Sequence, residues 1–154
     1  MNGAEALKAL YALQEKDLEI DRLRAEAESL PEELVALQGQ VETLEERLTN
    51  LLERRAELER EYNRHSLDIE DLSAKEKQAE EEQKRAQSAR EQTQYENRIQ
   101  QIKDRIRELL ELSTPIMEAM ENLEAEIAQV EEELAALRPR LQELLEANRA
   151  RVAE

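Results

Sequence analysis

With 154 residues, two Gly, three Pro, three Tyr and neither Phe nor Trp, the chain lacks the aromatic and turn-forming residues from which a rounded core is assembled. Charged residues make up 39% and hydrophobic ones 40%, and the hydrophobic residues are mostly Leu and Ala in regular phase, the pattern of long helices rather than of disorder. A formal net charge of −16 disfavours nucleic-acid or anionic-membrane binding by this segment, and no stretch approaches the roughly eighteen uninterrupted apolar residues of a membrane span.

The absence of Cys removes disulfides and thiolate metal sites, which makes a cytoplasmic protein the expectation. The first residues have no basic region leading into an apolar core and so do not read as a signal peptide. Residues 4–18 are helix-forming, with Leu7, Leu10, Leu13 and Leu18 apolar, and a stutter near Lys16 and Asp17 separates their phase from that of the main repeat. Over residues 20–72, sixteen positions recur at alternating steps of three and four. Fourteen are apolar, and only Arg55 and His65 interrupt. A repeat of 3.5 residues held for this long requires a supercoiled partner helix, because a straight helix of 3.6 residues per turn would carry the stripe around its surface.

Ser29-Leu30-Pro31-Glu32 reads as a capping box with proline in the first turn, yet the repeat passes through it unshifted, which predicts a kink or a one-turn break. In residues 73–94 the large apolar residues disappear and ten side chains are charged, five of each sign, as in a solvated hairpin tip. A second repeat runs from Tyr95 to Leu144 with Ser113 its one polar position, and it is offset by two residues from the first, so the chain must turn between them. Thr114-Pro115 reads as a cap with proline at the first helical position; Pro115 and Pro139 leave the phase intact and are expected as kinks. The expected architecture is all-α: a long antiparallel two-helix coiled-coil hairpin with proline kinks, arm 1 over about 4–86, the turn over about 87–91 and arm 2 over about 92–152.

Facing positions in such a hairpin have residue numbers that total either 171 or 178. The first sets Arg47 near Glu126 and Asp68 near Arg105; the second sets His65 opposite Ser113 and Gly39 level with Pro139. Core matching outweighs exposed ion pairs, which favours 178. Glu154 then reaches only the level of Arg24, leaving Leu7, Leu10, Leu13 and Ile20 without a partner helix, to be covered either by a second copy in weak homodimerisation or by a natural continuation of the second arm.

No catalytic, cofactor-binding or metal-ligating set emerges. His65 is the only histidine and reads as a polar core residue, since one imidazole cannot build a tetrahedral site. Arg55 should bury its stem and carry its guanidinium out to a flanking Glu. The acidic runs at 80–82 and 131–133 are solvated faces with no desolvated pocket to shift a carboxyl toward general-acid work. Around Leu109, Leu110, Leu112, Ile116, Met117 and Met120 the apolar stripe widens beyond what one partner covers, a candidate face for a third helix or a docking protein.

Three runs, Leu13-Gln14-Glu15-Lys16-Asp17-Leu18-Glu19-Ile20-Asp21-Arg22-Leu23, Leu30-Pro31-Glu32-Glu33-Leu34 and Gln94-Tyr95-Glu96-Asn97-Arg98-Ile99, resemble the arm of the bacterial coiled-coil proteins that end in a C4-type zinc ribbon. That resemblance implies a scaffold or chaperone-like adaptor with a protein partner, in some members linked to flagellar or type III secretion components. The ribbon's CxxC pairs are missing from this chain, so no metal-binding residue carries over. The alternative expectation is a transcription-factor arm that inserts into RNA polymerase, for which Glu80, Glu81 and Glu82 are the acidic tip residues.

Overall fold

The computed structural model describes residues 3–153, which form two helices, α1 (Gly3–Lys84) and α2 (Ala89–Ala153), folded back as a hairpin. Their composition of Leu, Ala, Glu, Arg and Gln consists of the strongest helix formers. The three-four repeat then sets which side of each helix is covered. From Leu30 to Gln83, every position of the three-four repeat is at least partly shielded, and the same holds from Tyr95 to Leu144.

The helices meet at residues 85–88, two to three residues before the expected 87–91. The reason is local chemistry at Ser88. The Glu91 amide donates to Ser88 Oγ at 3.1 Å, and the Gln87 amide donates to the Glu91 carboxylate at 3.2 Å. Ser88 is thus the N-cap of α2 in a Ser-x-x-Glu box whose glutamate reaches one residue beyond the cap. On the other side, the Arg85 and Ala86 amides donate to Glu82 and Gln83 carbonyls at 3.0 and 3.1 Å, tightening the last turn of α1. A turn without Gly or Pro is possible because side chains and short-range backbone bonds satisfy these end groups.

Pro31 does not break α1, and α2 passes through Pro115 and Pro139 as well. Each proline deprives the carbonyl four residues earlier of its donor. Those residues, Ala27, Glu111 and Ala135, are all exposed, so water can take the donor's place. The expected capping at residues 29–32 and 114–115 is also corrected. Ser29 Oγ donates to the Glu26 carbonyl at 3.0 Å and Thr114 Oγ1 to the Leu110 carbonyl at 3.2 Å, both as back-bonded residues within a continuing helix.

Two compact units divide the chain, one comprising Leu48–Gln129 and the other Met1–Arg47 with Val130–Glu154. In the unit Leu48–Gln129, Leu58, Ala79, Ile99, Ile102, Leu109, Ile116 and Ile127 form the buried core. Two ion pairs join its helices, Arg55 to Glu124 at 2.9 Å and Lys103 to Glu76 at 3.9 Å, and both have residue numbers totalling 179. In the other unit, Leu34, Val41, Val130, Leu134 and Leu144 are buried, and Arg138 meets Glu45 while Arg140 meets Glu33. These last pairs total 183 and 173, bracketing 178.

The pairs decide the register. At about 1.5 Å per residue, Glu45 and Arg138 would be roughly 18 Å out of level in the 171 arrangement, too far for the two side chains to meet, but roughly 7.5 Å in the 178 arrangement. Arg105, expected beside Asp68 in the former, instead pairs with Glu108 on its own helix. The level of Glu154 against Arg24 falls outside the described residues.

Candidate interaction surfaces

Polar residues inside the repeat are accommodated locally. Arg55 lays its stem across the helix pair and bonds Glu124 through Nη2, while its buried Nε has no hydrogen-bond partner. With both partners well exposed, that ion pair is worth about 0–1 kcal/mol and locates the helices more than it stabilises them. His65 is largely shielded, with Nε2 3.9 Å from the Glu61 carboxylate on the same helix. Ser113 is buried, and its hydroxyl donates to the Leu109 carbonyl at 2.7 Å, which satisfies it without a partner across the pair. Among the described residues there is no group of three or more His, Asp or Glu arranged to hold a metal ion, and no helix long and apolar enough to cross a membrane.

Leu109, Leu110, Leu112, Ile116, Met117 and Met120 do not make one surface. Leu109 and Ile116 are buried between the helices, Leu109 almost completely at 1% exposure, and Met120 is half-buried. Leu110, Leu112 and Met117 remain about half exposed. A residue just after a core position and one just before the next lie on opposite flanks of a paired helix. Leu110 and Met117 therefore share one flank and Leu112 occupies the other.

The Leu110 and Met117 flank borders an open groove between the two helices of the unit Leu48–Gln129. One stretch is lined by Tyr62, Ser66 and Ile69 from α1 and by Leu110, Ser113, Thr114 and Met117 from α2. An adjoining stretch shares Tyr62 and Met117 and adds Met120, Glu121 and Glu124. The groove exists because α1 presents small Ser66 where α2 presents large Leu110. Periodicity within one helix shows neither the vacancy nor its neighbours; the registered pairing of Ser66 with Leu110 was the missing signal.

No family model, curated protein or solved structure matches the chain.

In the unit containing the N-terminal part of α1, Leu7, Leu10, Leu13 and Ile20 are all exposed, Leu7 to 70%. Tyr11, Leu18 and Leu23 share that exposure and extend the set beyond the four expected from sequence. A row of large apolar side chains left exposed among the described residues is uncommon on a solvated helix, where single exposed leucines are ordinary. This stretch and the groove both present exposed apolar side chains.

Proposed function

We propose that the chain is a non-enzymatic coiled-coil arm, acting in the cytoplasm as a scaffold or chaperone-like adaptor that docks protein partners. The observation that carries this reading is the division of the apolar residues: from Leu30 to Gln83 and from Tyr95 to Leu144 the three-four repeat is shielded between α1 and α2, while the stretch from Leu7 to Leu23, including the first repeat positions Ile20 and Leu23, stays exposed together with Leu110 and Met117. The alternating spacing of the shielded residues supports supercoiling of the two helices, and the prolines would then bend them without interrupting them. The resemblance of residues 13–23, 30–34 and 94–99 to the arms of zinc-ribbon coiled-coil proteins supports the adaptor role. In that setting the arm holds its docking surfaces apart from whatever a ribbon would bind.

A photo-crosslinking amino acid placed in living cells at Leu10, at Met117 and, as a control, at exposed Glu132 tests the reading. Discrete protein adducts are expected from Leu10 or Met117 and none from Glu132. Absence of adducts at both apolar positions would refute a docking arm.

A further inference from the structure

The groove beside Met117 differs from an unassigned apolar patch in having a border on which acidic side chains outnumber basic ones. Glu121 and Glu124 line its second stretch directly. Glu59 and Glu70, both exposed, lie on the same flank of α1, three residues before Tyr62 and four after Ser66. Glu124 is engaged by Arg55, but Glu121 makes no ion pair among the described residues. Arg107 on this flank of α2 is held by Asp104 at 3.7 Å and offers little relief.

From Leu110 to Glu124 the groove follows α2 for roughly 21 Å at 1.5 Å per residue, close to four turns of a helix. Its floor is Tyr62, Ile69 and the hydroxyl-bearing Ser66, Ser113 and Thr114, and its wall is Leu110 with Met117. The Ser113 and Thr114 hydroxyls are already committed to carbonyls of α2, so they ask nothing of an incoming ligand. Met117 and Met120 give the wall side chains that adapt to the shape pressed against them.

Resting on the docking-arm reading above, we propose that this groove receives one amphipathic helix of a partner protein, with an apolar face of three to four turns and Lys or Arg on both margins. The apolar face covers Leu110, Met117 and Tyr62, as helix-in-groove recognition requires. The basic margins meet Glu59 and Glu70 on one side and Glu121 on the other. Complementary charge sets the orientation of the helix and rejects acidic helices of equal apolarity.

The test uses three labelled peptides of about eighteen residues: one with Leu at helical spacing and Lys margins, its twin with Glu for every Lys, and a scramble of the first. Binding is followed by fluorescence anisotropy against the parent chain, a Leu110→Ser/Met117→Ser variant and a Leu7→Ser/Leu10→Ser/Leu13→Ser variant. Because Leu110 and Met117 are half exposed, the first variant should keep the parent's thermal melt, which is checked by circular dichroism.

The Lys peptide is expected to bind the parent and the N-terminal variant alike. It should bind at least tenfold more weakly to the groove variant, and both other peptides at least tenfold more weakly to the parent. Equal binding to parent and groove variant overturns the proposal, since it means diffuse attraction to a chain of net charge −16. Loss of binding in the N-terminal variant overturns it in favour of the Leu7 to Leu23 face. If no peptide binds while Leu10 or Met117 still crosslinks a protein in cells, the basic-helix occupant is refuted and the docking arm stands; if no peptide binds and neither position crosslinks, both fall.

Discussion

Replacing Ser88 with Ala should loosen the hairpin's tip while leaving the rest of the chain in place. The Ser88 hydroxyl satisfies the Glu91 amide, and that contact holds Glu91 where its carboxylate can accept from Gln87. Loss of a Ser N-cap to Ala costs about 0.5–2 kcal/mol and loss to Gly only a few tenths, because glycine leaves the terminus open to water. A central value of about 1 kcal/mol corresponds to a roughly fivefold larger local opening constant, taking RT as about 0.59 kcal/mol. Hydrogen exchange at the amides of Glu91 and Gln92 should therefore quicken about fivefold in Ser88→Ala and less than twofold in Ser88→Gly. Amides near Leu134 and Val130, deep in the other unit, should be unaffected. Unchanged exchange at Glu91 in Ser88→Ala, or an equal effect from Ala and Gly, would show that the cap does not place the turn at 85–88.

Gly39→Ala should stabilise the chain by about 0.5–1 kcal/mol in urea titrations, since Gly39 is helical and an added Cβ meets nothing within 4 Å. Spin-label pairs at Glu45/Arg138 and Glu33/Arg140 should report similar distances by pulsed electron resonance; an axial difference of roughly 15 Å between the pairs would restore the 171 register. In analytical ultracentrifugation, Leu7→Ser/Leu10→Ser/Leu13→Ser should reduce any dimer without moving the main melt. Four aliphatic side chains at about 1.5–3 kcal/mol each only match the roughly 4–15 kcal/mol cost of association, so a persisting dimer would locate the contact elsewhere. Stoichiometric zinc or a chelator should shift the melting temperature by less than about 2 °C, and a larger shift would assign His65 a ligand role that its neighbours do not support.

The sequence by itself determined the helices, the turn between them and the side of each that is covered. Two 3.5-residue repeats that differ in phase by two residues, separated by a stretch without large apolar residues, point to two paired helices rather than one. It also specified the fates of Arg55 and His65, whose lengths and polarity leave few options beside a core. The capping roles expected at Ser29 and Thr114 misled: both hydroxyls back-bond within helices that run on through the prolines, where Ala27, Glu111 and Ala135 are exposed and water can reach their carbonyls. The turn at Ser88 was legible in Ser88-Ala89-Arg90-Glu91, whereas the phases of the two repeats place it two to three residues later. Register and groove were decided only in three dimensions. Adjacent registers differ by one heptad and bury nearly the same leucines, so the choice falls to pairs such as Glu45 with Arg138 that span two helices. Only after that choice does small Ser66 come to lie beside Leu110 and Met117, leaving an opening that neither helix encodes alone.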